Sequence, residues 1–220
     1  MMHRLIVVSR GKLDNSTRDV ALRRAEAHQR AGRYGEAVAE YDFLIQNGFD
    51  GPGNYTIRAM CKHSCGDQYG AIADCNVAIE RQPGNTIAFF TRALSRKTLG
   101  DYDAALRDLD SVLVCDCNFI DALHLRATIN ADMQHWEAAI NDLTTLLAKY
   151  PGDWRLLRFR AMVHRDSGRL EDALADYTVA IDAHPHLINL YARRAEIYRL
   201  LGRDELAGKD SDRARAALKS

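Results

Sequence analysis

The stretch Gly100-Asp-Tyr-Asp-Ala-Ala-Leu-Arg-Asp-Leu-Asp110 (GDYDAALRDLD) decides how the rest of the chain is read, because it recurs. Thirty-four residues later the chain reads QHWEAAINDLT (134–144), and thirty-four after that GRLEDALADYT (168–178). Upstream stand GDQYGAIADCN (66–76) and GRYGEAVAEYD (32–42), and downstream a weaker copy, GRDELAGKDSD (202–212). A fixed period between about 20 and 50 residues is the mark of a repeat architecture. Counted in thirty-fours from residue 18, the repeats are 18–51, 52–85, 86–119, 120–153, 154–187 and 188–220, with no insertion or deletion.

Within each repeat, two stretches have helical spacing. In the third, Phe89, Ala93 and Arg96 share one face, and Ala105, Leu109 and Val112 share another. Position 8 is alanine in all six repeats (Ala25, Ala59, Ala93, Ala127, Ala161, Ala195). So is position 20 (Ala37, Ala71, Ala105, Ala139, Ala173, Ala207). Small side chains there allow helix backbones to approach closely. Position 15 is glycine in five repeats (Gly32, Gly66, Gly100, Gly168, Gly202) and Gln134 in the fourth. Glycine ends a helix cheaply by adopting positive φ. Pro83, Pro151 and Pro185 at position 32 close the second helix, where the first and third repeats carry Phe49 and Cys117. The expected fold class is all-α, an α-solenoid of stacked antiparallel helix hairpins. A hairpin cannot bury its apolar face alone, so residues 18–220 are expected to form a single elongated domain. Residues 1–17 lie outside the repeat as an N-terminal tail or capping segment, in which Leu5–Val8 would form a strand or extra turn over the first hairpin.

A charge pattern accompanies the small residues. Position 7 is always arginine (Arg24, Arg58, Arg92, Arg126, Arg160, Arg194), and position 23 is always acidic (Glu40, Asp74, Asp108, Asp142, Asp176, Asp210). The two positions are equidistant from the turn at position 15. Position 23 and the next repeat's position 7 are equidistant from the turn at 32. Each acid is therefore expected to face two arginines, its own and the next, in a structural ladder.

Length 34, a small residue at 8, glycine at 15, an aromatic at 17 (Tyr34, Tyr102, Trp136), alanine at 20 and proline at 32 resemble the tetratricopeptide repeat. The resemblance covers residues 18–220. It departs at Gln134, Cys117, Phe49 and a polar final helix with Ser211 at position 24. It implies a right-handed superhelix that binds peptide segments of other proteins in its concave face. In that architecture the first helix of each repeat lines the groove through positions 2, 5, 6, 9, 12 and 13. Those positions carry Ile57, Met60, Ile87, Phe90 and Leu94 in the second and third repeats and Leu125 and His124 in the fourth. In the fifth they carry Phe159 and Met162, with Arg155, Arg158 and Arg165, and in the sixth Arg193 with Glu196. The groove is thus expected to be apolar at its centre and basic toward its C-terminal end. It would suit a peptide or helix with two or three apolar anchors and an acidic flank. The lysine/asparagine clamp by which some of the family grip chaperone tails is absent, as position 5 reads Leu22, Thr56, Phe90, His124, Arg158 and Ala192.

Other classes have less support. Thirty basic residues balance thirty acidic ones, which removes the simplest argument for a nucleic-acid or membrane-surface partner. RNA binding is the alternative, since helical-hairpin repeats of similar length can read single strands. Cys61, Cys65, His63 and Cys75 fall in one repeat but do not converge readily on a tetrahedral metal site. Cys115 and Cys117 flank one residue at a loop, and structural roles are expected for all five cysteines. No phosphate loop, G-x-G-x-x-G, H-E-x-x-H or G-x-S-x-G is present. No enzyme activity, cofactor or metal is therefore expected. The longest apolar run near the start, Leu5–Val8, is too short for a secretory or membrane segment. An odd number of cysteines fits a reducing compartment, so a cytoplasmic location is expected. The charged last helix, 204–219, reads as a polar cap on the stack, with self-association through the solenoid ends left open.

Overall fold

The computed structural model describes residues 14–216. They form twelve α-helices, with no strand among the described residues. These are α1 (Asn15–Arg30), α2 (Tyr34–Gln46), α3 (Pro52–Ser64), α4 (Gln68–Arg81), α5 (Thr86–Thr98) and α6 (Tyr102–Cys115). The remainder are α7 (Ile120–Asp132), α8 (Trp136–Lys149), α9 (Trp154–Asp166), α10 (Leu170–Ala183), α11 (Ile188–Leu200) and α12 (Asp204–Ala216). The chain divides into two compact halves between Cys117 and Asn118. Each half holds three antiparallel hairpins. In each, every helix packs on the next one in sequence, and α3 also touches α5. The all-α, stacked-hairpin class expected from the period is the observed one.

Packing follows the small residues. All twelve alanines at positions 8 and 20 are buried, none more than 2% exposed. Position 24 adds Tyr41, Cys75, Leu109, Leu143 and Tyr177, all buried between the two helices of their hairpin and its neighbours. Side chains larger than alanine at positions 8 and 20 would force the helices apart, since overpacking a close-packed core costs about 1–3 kcal/mol.

The turns follow position 15. Gly32, Gly66, Gly100, Gly168 and Gly202 all have positive φ, between 70° and 91°. Gln134 is forced into the same region, φ 61°, the one non-glycine residue there among the described residues. Its side chain is exposed and makes no hydrogen bond, so nothing compensates the strain of a Cβ at positive φ. Gln134→Gly is expected to stabilise the protein by about 1 kcal/mol, read as a raised urea midpoint with unchanged slope.

The second links differ less than proline content suggests. Before Pro83, Gln82 has φ −140° and ψ 86°; before Cys117, Asp116 has φ −141° and ψ 93°. The link after α2 uses another device. Gly48 takes φ 91°, and the Phe49 amide returns to the Leu44 carbonyl at 3.0 Å, a glycine stop in place of a proline one.

Helix α1 begins at Asn15, three residues before the boundary expected at 18. Asp14 caps it, accepting from the Thr17 amide at 2.7 Å. The expected strand or turn at Leu5–Val8 lies outside the described residues. At the other end α12 packs on α11 through Ala207 and Asp210, while Asp204, Glu205, Lys209, Asp212 and Arg213 face solvent.

The arginine–acid ladder has five observed rungs, and its wiring departs from expectation. Arg58–Asp74, Arg92–Asp108, Arg126–Asp142, Arg160–Asp176 and Arg194–Asp210 are each bidentate. Nε and Nη2 donate to the two carboxylate oxygens at 2.5–3.0 Å. The acid does not take a second arginine from the next repeat. Instead the remaining Nη1 reaches back one hairpin to position 25. It meets Asp42 (2.6 Å), Asn76 (2.6 Å), Thr144 (3.0 Å) and Thr178 (3.3 Å) from Arg58, Arg92, Arg160 and Arg194 respectively. The planar fork explains this, because one edge is filled by the carboxylate and the other points at the preceding helix. In the second and third hairpins the acid accepts a further bond from position 11 of its own hairpin. Lys62 reaches Asp74 at 2.9 Å, and Arg96 reaches Asp108 at 2.8 Å. The sixth expected rung is missing: Arg24 is exposed and makes no ion pair with Glu40.

His164 holds position 11 of α9 and is buried. Its Nδ1 lacks a hydrogen-bond partner, and Asp172 and Asp176 approach only to 3.9 Å. Burial, aided by the Arg160 charge, holds its pKa below 6.5 against the pull of the two carboxylates. The unfolded histidine therefore takes up a proton before the folded one does. Its contribution to stability is complete above about pH 6.5 and is lost as pH falls below that value. Urea titrations in steps down from pH 8 are expected to show a flatter acid limb for His164→Asn than for wild type.

Candidate functional site

The face formed by the first helices carries the residues expected to bind a ligand. In the first half, α3 and α5 present Met60 (43% exposed) and Ile87 (49%), with Phe90 and Leu94 half-buried beside them. Ile57 is placed differently: it packs against the Ala21, Ala25, Tyr41 and Leu44 cluster of the first hairpin. In the second half, Leu125 is buried, 8% exposed, and belongs to the core rather than to an open face. Phe159 and Met162 are half-buried on α9, and the exposed His124 ring meets Phe159 at a centroid distance of 5.8 Å.

The basic residues divide into two groups. Arg165 and Arg193 converge on Glu196 of α11, at 3.7 and 3.5 Å, and Arg165 also pairs with Asp166 at 2.7 Å. Much of their charge is answered locally. Arg155 and Arg158 are exposed, and their guanidinium groups have no acidic partner among the described residues. They pack over the Trp154 ring at 5.3 and 5.8 Å from its centroid. Trp154 and Arg158 line an open cavity of about 200 Å³ with His186, Leu187, Ile188, Asn189 and Leu190. This cavity lies at the N-terminal edge of α9 and α11, and α11 has no side-chain cap there.

The family profile described as Tetratricopeptide repeat matches residues 124–188, the stretch that contains this edge. Residues 124–188 thus match that family, and the fold of the chain is that of tetratricopeptide repeat proteins. Solved structures of similar fold agree. Over 87% of this chain and 77% of the other, the C-terminal part of a TPR repeat-containing protein from Cytophaga hutchinsonii superposes with a TM-score of 0.79 at 15% identity. MamA from Desulfovibrio magneticus RS-1 gives 0.69 at 15% identity, over 76% of this chain and 95% of that one. YrrB, described as a TPR protein with an unusual peptide-binding site, gives 0.68 at 16% identity, over 79% and 90%. Among curated proteins no sequence matches.

The aromatic that organises the unanswered charge, Trp154, occupies position 1 of its repeat, outside positions 2, 5, 6, 9, 12 and 13. The run Trp154-Arg155-Leu-Leu-Arg158 held part of the signal, since i, i+4 places Arg158 beside the ring. The cysteines do not gather. Cys61 is buried and accepts from Gln29 Nε2 at 3.3 Å. Cys65 is exposed, and its thiol donates to the Lys62 carbonyl. Burial pushes the Cys75 thiol up to about 12, so it remains protonated at neutral pH. His63 turns to Gln68 and Ser95. Among the described residues no three such side chains converge on a metal-sized site. No helix of the described residues is long and apolar enough to cross a membrane.

Proposed function

We propose that the protein is a non-catalytic scaffold that binds a peptide or helical segment of a partner protein on its first-helix face. The observation that carries this reading is the pair Arg155 and Arg158. Exposed and without acidic partners among the described residues, they lie against Trp154 on the helix that carries the half-buried Phe159 and Met162. Charges left unanswered beside apolar surface suit a ligand with an acidic flank next to apolar anchors. Phe159 and Met162 are the proposed anchor contacts in the second half, and Met60, Ile87, Phe90 and Leu94 those in the first. Arg165 and Arg193 contribute less, because Glu196 already holds them. That YrrB, of similar fold, has a peptide-binding site supports the same use of the fold here. The reading takes residues 18–220 as one binding domain. It includes a cytoplasmic location, which five free cysteines suit.

Selection from a random-peptide display library tests it. The expected enriched sequences carry two or three aromatic or aliphatic residues followed by Asp or Glu. Their binding should persist at high salt and fall in Phe90→Ser/Phe159→Ser. No enrichment, or equal binding by that variant, would overturn the reading. Binding of a random single-stranded RNA pool that vanishes steeply with salt would put nucleic acid in the place of the peptide.

A further inference from the structure

The first hairpin ends on an open face that its equivalents do not have. Position 3 is buried at Ala88 in α5, Leu156 in α9 and Leu190 in α11, each of which packs against the helix before it. At the same position in α1, Val20 is 43% exposed; beside it Phe43 of α2 is 40% exposed, at a position that is also open at Val179 in α10 (49%). Together with Thr17, Ala21, Arg24, Ala39 and Glu40 they line a cavity of about 320 Å³. Arg24 and Glu40, both in this lining, are the rung of the ladder that does not close, and His28 Nδ1, one turn further along α1, is buried without a partner. An apolar pocket with an unpaired arginine and an unpaired carboxylate at its rim is an incomplete packing face, and a solenoid end needs covering.

We infer that the chain's own N-terminal segment, centred on Leu5-Ile6-Val7-Val8, docks in this cavity. The sequence before Asp14 is MMHRLIVVSRGKL, whose four-residue apolar run is flanked by Arg4 and Arg10. The run fits Val20 and Phe43, and the flanking arginines answer the Glu40 carboxylate. Arg24 can donate to main-chain carbonyls of the docked segment. Geometry permits this. Asp14 caps α1 against Thr17, at the end of the cavity. The five residues between Val8 and Asp14, six Cα-to-Cα steps, reach at most about 20 Å when extended. The cavity residues of α1, Thr17 to Arg24, span about 11 Å of helix. A tether this short gives an effective concentration on the order of millimolar, which favours the chain's own segment over a second copy.

Limited trypsin digestion of the full chain tests the docking, because Arg10 and Lys12 lie between the run and α1. In wild type, cleavage after these residues is expected to be about tenfold slower than in Val20→Asp or in Ile6→Asp. Val20 is exposed and Ile6 precedes the hairpin, so neither change should unfold it, and circular dichroism should show equal helix content in all three. Equal cleavage rates in the three proteins would overturn the proposal. So would protection in wild type that disappears on dilution, which would assign the cavity to a second copy of the chain.

Discussion

Asp108→Ala is expected to destabilise the protein by about 3–5 kcal/mol, the cost of removing one member of a buried ion pair and leaving the other uncompensated. Asp108 is 2% exposed and accepts from two cations, Arg92 through both of its oxygens and Arg96 through one. Both arginines are mostly shielded from water, with side-chain exposures of 15% and 22%. Alanine leaves two guanidinium groups in a space that water enters poorly. Arg92 also carries the bond from its hairpin back to Asn76, so the effect reaches the α4–α5 contact. Glu40→Ala provides the control. It occupies the same position of the first repeat but makes no ion pair among the described residues, so the expected change is at most about 1 kcal/mol, the range of an exposed pair. Urea unfolding of the two variants beside wild type measures the difference. A loss at Asp108 of less than about 1 kcal/mol would mean that the ladder is a surface ornament of the kind that exposed ion pairs usually are.

The sequence made the ladder legible for a particular reason. Arginine at position 7 and an acid at position 23 are the same letters in every repeat, and repetition turns a contact into a pattern. The acceptor of the third arginine nitrogen is Asp42, Asn76, Thr144 or Thr178, four residues of three chemistries, so no letter repeats and position 25 went unread. Position 11 was readable only in part, since His28, Lys62, Arg96 and His164 are basic but Asn130 and Tyr198 are not, and its role depends on which carboxylate lies across the hairpin. The turns follow the same logic. Gln134 keeps the glycine geometry because α7 and α8 on either side of it fix where the chain must reverse, and the local preference yields. The candidate face was legible only in part. Periodicity says which side of a helix avoids its partner in the hairpin, but not how far the next hairpin overlaps it. That is why Leu125 is buried and Ile57 packs on the first hairpin, while Met60 and Ile87 remain open.

The second large effect concerns binding. For a peptide selected against wild type, Phe90→Ser/Phe159→Ser is expected to raise Kd by at least about thirtyfold, since truncating an aromatic anchor costs about 2 kcal/mol or more at an interface centre. Both rings are half-buried, so a ligand that covers them orders side chains that are already restricted. Phe159 also touches His124, which gives the ring a fixed orientation. Stability should change little by comparison, because the larger core side chains, Leu109, Leu143 and Tyr177, are untouched. Reversing the charges instead, Arg155→Glu/Arg158→Glu, separates the two parts of the reading. It should slow association with an acidic peptide and weaken the salt dependence while leaving the apolar anchors in place. Isothermal titration and stopped-flow binding at low and high salt distinguish these effects. If the phenylalanine variant binds as wild type does while the charge variant does not, recognition lies at the Trp154 edge, and neither the apolar face of α5 nor that of α9 is the seat of binding. If both variants bind normally, the ligand uses another surface of the protein.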